Sequence, residues 1–197
     1  MAKTRFEVPT WTEIYTMLLS QAERIRKDNF KPDIILGVSR GGWIPARIHS
    51  DLLENPNLAT VRTECYTGID EAKPAPALTQ PLSMSVDGKN MLVVDDIADT
   101  GRSLRLIKEH VMQKGAREVK VATLYRKPWS VVKPDYCERE TALWVVFPWD
   151  LKETVRKTFE NRGATSIEDE ALRLAEAGLP KKLVDRFLRE MQVEKPC

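Results

Sequence analysis

Val93-Val94-Asp95-Asp96-Ile97-Ala98-Asp99-Thr100-Gly101-Arg102-Ser103-Leu104 is the stretch that decides the fold. It continues a short apolar run, Met91 to Val94, that follows a turn signal at Asp87-Gly88. A run of this length and composition reads as a strand buried on both faces. Two adjacent carboxylates close it, and residues 97–102 are expected to form a loop. A helix is predicted over Ser103 to Lys114, with Leu104, Ile107 and Val111 on one face and Gly115 as its stop. The first amides of such a helix lack partners inside it and carry the positive end of its dipole, so they attract an anion. Thr100 and Ser103 add hydroxyl donors, and Gly101 lets backbone approach a phosphate with no Cβ in the way. The acids at the other end of the loop accept hydrogen bonds from hydroxyls, or hold a hard cation such as Mg through oxygen. A sugar phosphate with free hydroxyls and a bound Mg ion meets both demands.

The flanking sequence repeats the strand-then-helix order. A helix is expected over Trp11 to Asn29, then a strand over Asp33 to Val38, a turn at Ser39-Arg40-Gly41-Gly42, and a helix over Ile44 to Leu53 with Pro45 in its first turn. Ala59 to Cys65 reads as a strand. Residues 66–81 carry Gly68, Pro74, Pro76 and Pro81 and read as one long loop of the kind that often serves as a lid. Leu82 to Val86, Val119 to Tyr125 and Trp144 to Phe147 are the remaining expected strands. Apolar strands alternating with helices predict an α/β fold, a mostly parallel twisted sheet with helices on both faces. Ligands of such sheets sit at the carboxyl ends of the strands, which directs attention to the residues after Val38, Val94 and Tyr125. Residues 161–197 are more charged and predict two short helices, Asp169 to Ala177 and Lys181 to Met191, behind a capping box at Ser166. The expected organisation is a core with a small hood over 1–160 and a C-terminal helical extension over 161–197.

The chain has 197 residues and a formal net charge of +2, so an anionic substrate has to be held by local features, not by a global field. Three distant cysteines and two isolated histidines argue against a disulfide framework or a zinc site. No run of about 18 apolar residues is present, and none at residues 1–7 marks a secretory signal, so a cytoplasmic protein without membrane contact is expected. The basic residues of the tail alternate with acids, so no nucleic-acid partner is expected. The segment is neither a P-loop nor a dinucleotide fingerprint, because GxxxxGK[ST] and GxGxxG are both absent.

Residues 93–104 resemble the signature by which type I phosphoribosyltransferases bind phosphoribosyl pyrophosphate (PRPP), and the likeness extends over most of residues 10–150. The resemblance implies that Asp95 and Asp96 bind the ribose hydroxyls and the metal, and that Ala98, Asp99, Thr100, Gly101, Arg102 and Ser103 wrap the 5-phosphate. Ser39-Arg40-Gly41 resembles the pyrophosphate loop, with Arg40 supplying a guanidinium fork. Cys65-Tyr66-Thr67-Gly68 resembles the catalytic lid, although 6-oxopurine enzymes usually have Ser-Tyr there; Tyr66 and Thr67 are its candidate contacts. Residues 125–129 and 143–150 resemble the hypoxanthine, guanine and xanthine enzymes. That likeness implies Lys127 as donor to the 6-oxo group, Trp144 as stacking face, Val145 as backbone reader of the base edge, and Asp99 as the acid near purine N7. Asp150 is assigned to the metal side.

The expected activity is Mg-dependent transfer of ribose 5-phosphate from PRPP to a 6-oxopurine. Asp99 and Arg40 act in catalysis, and the molecule is a homodimer or homotetramer by family habit. Lysine donates only, so it prefers an oxo acceptor to the amine of adenine. Two alternatives stay open: transfer to adenine, uracil or orotate, and a PRPP- or purine-sensing regulator on the same fold.

Overall fold

A computed structural model describes residues 5–66, 75–161 and 166–193. In chain order the elements are β1 Phe6–Glu7, α1 Trp11–Lys27, β2 Ile34–Ser39, α2 Trp43–Leu52, β3 Leu58–Tyr66, β4 Ala75–Gln80, β5 Asn90–Ala98 and α3 Arg102–Gln113. There follow β6 Glu118–Arg126, β7 Tyr136–Glu140, β8 Trp144–Val145, α4 Leu151–Glu160, α5 Ile167–Glu176 and α6 Lys181–Val193. They fall into two compact units, one of residues 14–142 and one of residues 1–13 with 143–197.

The larger unit is a six-stranded sheet in the order β4-β3-β2-β5-β6-β7, parallel except for the β3–β4 pair. The pleat explains why its strands read as continuous apolar runs. Ile34, Leu36 and Val38 pack with Val93, Leu104, Ile107 and Val111 on the α3 face. Ile35, Leu92 and Val94 pack with Ile25 and Ala46, from α1 and α2, on the opposite face. Both faces are covered, so both alternate sets of positions are mostly apolar. Each of the buried α3 side chains contributes roughly 1.5–3 kcal/mol by leaving water.

Several expectations are corrected here. The long loop over 66–81 contains β4, whose Pro76 lies opposite Cys65 in the register. Proline is tolerated because β4 is an edge strand. Leu82 to Val86 forms no strand; Leu82 and Val86 are buried, and the chain between them is irregular. β7, Tyr-Cys-Glu-Arg-Glu, was not foreseen, because a half-polar edge strand shows little hydrophobic periodicity. Trp144 to Phe147 is not a strand of the main sheet: only Trp144–Val145 is extended, and it pairs in parallel with β1.

The smaller unit divides the chain elsewhere than at residue 160. The tail shares one apolar core with the preceding segment: Val146, Leu151, Val155 and Phe159 pack with Leu174, Leu179, Val184 and Leu188, and Phe6 and Val8 lie against them. Leu174, Leu179, Val184 and Leu188 of the tail are thus buried with α4, while Leu172 and Leu183 stay exposed. Ser166 caps α5 as expected, its Oγ accepting from the Asp169 amide at 3.1 Å.

One buried polar chain ties α1 and α2 to the sheet. Gln21 donates from Nε2 to the Thr123 carbonyl at 2.7 Å, and its Oε1 faces His49 Nε2 at 2.9 Å. Burial lowers the pKa of His49 from near 6.5 to about 4. The unfolded chain therefore binds the proton first. Stability from this group is full above pH 6.5 and is lost as pH falls toward 4, by about 3 kcal/mol in total. His49→Gln should flatten that part of a plot of unfolding free energy against pH. An unchanged slope would show that His49 is not the group responsible.

Candidate active site

The carboxyl ends of β2, β5 and β6 bring the predicted residues of the larger unit together. β5 runs further than expected, to Ala98, and α3 begins at Arg102. Asp96 is buried at 7% exposure and Asp95 is half-buried; the Asp96 amide donates to Asp95 Oδ1 at 3.0 Å. Asp99 and Thr100 are exposed on the turn. Gly101 has φ 75° and precedes α3 with no capping side chain of its own, while the Arg102 amide makes a long bond to Thr100 Oγ1 at 3.4 Å. That positive φ favours glycine. A second reason is contact: a Cβ on Gly101 would lie 2.6 Å from Ser130 Oγ and 2.8 Å from the Val132 amide.

The loop after β5 is stitched to the loop after β6. The Lys127 amide donates to the Ala98 carbonyl at 3.0 Å, and the Val131 amide donates to the Thr100 carbonyl at 3.0 Å. Lys127 is buried at 5% exposure with its ammonium 5.4 Å from the centroid of the Trp129 ring. Trp129 donates from its indole N–H to Asp99 Oδ1 at 3.1 Å.

The third loop, Ser39 to Gly42, approaches β5 closely. A Cβ on Gly41 would fall 2.0 Å from Asp96 Oδ2, so Gly41 lies directly against the acid pair. The Ser39–Arg40 peptide bond is cis, and Arg40 is exposed. The three loops therefore assemble an acid pair, a helix start, a guanidinium and a buried ammonium at one end of the sheet.

Trp144, Val145 and Asp150 belong to the smaller unit. Trp144 is 59% exposed, Val145 is buried in the β1–β8 pair, and Asp150 starts α4, its carbonyl accepting from the Thr154 amide at 2.8 Å. Nearby, Phe147 and Trp149 stack at 4.9 Å. Thr67 and the side chain of Tyr66 lie outside the described residues. Among the described residues no cluster of three acidic, histidine or cysteine side chains could hold a metal by itself, and no helix is long and apolar enough to cross a membrane.

Sequence reasoning missed Trp129 as a partner of Asp99 and Gly41 as a neighbour of Asp96. Both contacts join segments far apart in the chain, and no local spacing signals them.

A strand-end acid pair that leads through a glycine turn into a helix start, at the carboxyl ends of a mostly parallel sheet, is suited to a sugar phosphate. The phosphoribosyl transferase domain model matches residues 11–155, and the chain belongs to that family. It is 28% identical over 149 residues to a xanthine-guanine phosphoribosyltransferase of Cereibacter sphaeroides, covering 72% of this chain and 85% of that one. A purine phosphoribosyltransferase from Pyrococcus horikoshii superposes with a TM-score of 0.66 at 37% identity, covering 72% of this chain and 91% of its own. A hypothetical protein from Neisseria gonorrhoeae with bound ppGpp superposes with a TM-score of 0.67 at 27% identity, covering 91% of this chain and 99% of its own. The protein is a phosphoribosyltransferase enzyme.

Proposed function

We propose that the enzyme transfers ribose 5-phosphate from PRPP to N9 of a 6-oxopurine and releases pyrophosphate, as a purine salvage reaction. The observation that carries this reading is Lys127, a donor-only group held at 5% exposure against the loop that carries Asp99. Trp144, exposed and aromatic, is suited to stack on the base, and the Val145 backbone to read its edge. The names of the relatives point to the same substrates.

The α3 amides, with Ala98, Thr100, Gly101, Arg102 and Ser103, receive the 5-phosphate, and Asp95 and Asp96 accept from the ribose hydroxyls. Ser39, Arg40 and Gly41 hold the pyrophosphate, and Arg40 balances charge as that group leaves. To Tyr66 and Thr67 we assign the part of a lid, whose role would be to keep water from the donor. Asp95 and Asp96 are hard oxygen donors whose chemistry would suit Mg, and Asp150 is a further carboxylate we assign to metal binding. The chemistry Mg would supply there is neutralisation of the charge that develops on the pyrophosphate. Asp99 takes or steers the N7 proton as N9 attacks. The working form is a homodimer or homotetramer in the cytoplasm.

A radiolabelled transfer assay with PRPP, Mg and a panel of hypoxanthine, guanine, xanthine, adenine, uracil and orotate tests the reading. Product from a 6-oxopurine supports it; product only from another base keeps the PRPP site and discards the base assignment. Lys127→Met should raise KM for the 6-oxopurine about 10- to 100-fold, the value of a hydrogen bond from a charged donor, with KM for PRPP within about twofold. An unchanged base KM would remove Lys127 from the base site. A second reading concerns regulation: the Neisseria relative, which matches the tail as well as the core, is described with bound ppGpp. Inhibition by ppGpp in the same assay would support it.

A further inference from the structure

Asp99 lies on an exposed turn, between two residues whose carbonyls are bonded to the loop after β6. The Ala98 and Thr100 carbonyls accept from Lys127 and Val131, which fixes the turn but does not aim the carboxylate. An exposed carboxylate without a partner samples several rotamers, and a proton acceptor must meet its target within hydrogen-bond reach. The aiming contact in this molecule is the indole N–H of Trp129, 3.1 Å from Asp99 Oδ1.

The same indole has a second neighbour. The Lys127 ammonium stands 5.4 Å from its ring centroid, inside the range of cation–π attraction. A single rigid group with two side-chain torsions thus touches an anion with its edge and a cation with its face. The chemistry of the base explains why that matters. Oxygen 6 and N7 are adjacent acceptors on one edge of a 6-oxopurine. Two side chains that serve that edge together have to keep a fixed separation, or only one of them is in register at a time.

Resting on the reading of Asp99 and Lys127 above, we propose that Trp129 is a positioning residue that holds the Asp99 carboxylate and the Lys127 ammonium in fixed relation to the N7 and O6 edge of the purine. Its indole N–H governs proton transfer and its ring face governs base recognition. The two effects are separable by substitution.

Trp129→Phe keeps an aromatic face for Lys127 and removes the N–H. Its kcat should fall about 10-fold while KM for the base stays within about twofold. Trp129→Leu removes both contacts, so the same fall in kcat should come with a base KM raised about 10-fold. Trp129 is 55% exposed, so both variants should fold, and thermal midpoints check this. The deciding measurement is a double-mutant cycle with Asp99→Ala, followed by single-turnover rates. In that background Trp129→Phe should change the rate less than about twofold, because there is no carboxylate left to aim. A loss as large as in the wild-type background would mean that Trp129 acts through general structure, and would overturn the inference. So would a Trp129→Phe enzyme with unaltered kcat. If Asp99→Ala itself leaves kcat unchanged, the proton-transfer reading fails first and takes this inference with it, so the two failures are told apart.

Discussion

Asp99→Asn is expected to lower kcat by about 10²- to 10⁴-fold, the usual worth of a general base, with KM for PRPP changed by less than about threefold. The substitution is nearly isosteric, and the structure limits what else it can disturb. The turn is held by backbone bonds from Lys127 to Ala98 and from Val131 to Thr100, neither of which uses the Asp99 side chain. The indole of Trp129 can still donate to the amide oxygen of asparagine. What disappears is the charge and the capacity to accept a proton. The start of α3 is untouched, so a phosphate bound at its amides should be held as before. Steady-state kinetics with both substrates varied separates the cases. A fall in kcat alone places Asp99 in the chemical step. Parallel losses in kcat and PRPP affinity would make it a binding residue and remove the proton-transfer role.

What the sequence revealed of the fold and site follows the distance over which each feature is encoded. The segment around Asp95 and Asp96 was readable because strand, acids, turn and helix start are consecutive, and the structure keeps that order with β5 ending two residues past Asp96. The central strands were readable because burial on both faces leaves few polar positions along them. Edge strands were not. β4 was concealed by its proline, Pro76, and β7 by its glutamates, both of which an edge accepts because one row of backbone groups needs no partner. Trp144 to Phe147 shows the reverse error. Its apolar run marks burial, but periodicity cannot say against which partner, and its partner is β1 outside the main sheet. The tail announced an apolar face in Leu172, Leu179, Leu183, Val184, Phe187 and Leu188, yet only packing shows Leu179, Val184 and Leu188 against Val155 and Phe159. Contacts between loops, such as Trp129 with Asp99, lie across 30 residues and leave no trace in local pattern.

The glycines of the Ser39 to Gly42 turn carry the largest expected effect on folding. Gly42 has an ordinary φ of −69°, so its lack of a side chain answers a steric demand, not a conformational one. A Cβ there would lie 2.4 Å from the Val94 carbonyl oxygen and 2.7 Å from that of Val38, in the backbones of two paired central strands. Those atoms cannot rotate away as a side chain would, and moving either strand disturbs the tight core on both faces of the sheet. Gly42→Ala is therefore expected to cost about 3 kcal/mol or more, read as a shift in the denaturant midpoint at constant slope. Gly88→Ala is the comparison. Gly88 has φ 67° but nothing within 4 Å of its missing Cβ, so only backbone strain of roughly 1–2 kcal/mol applies. Gly41→Ala is the test of function, because the atoms nearest its Cβ belong to the carboxylate of Asp96, and displacing that side chain should weaken PRPP binding if Asp96 holds the ribose. If Gly42→Ala proves no more costly than Gly88→Ala, β2 and β5 can part at their carboxyl ends, and the close approach that sets Gly41 against Asp96 is not imposed by the fold.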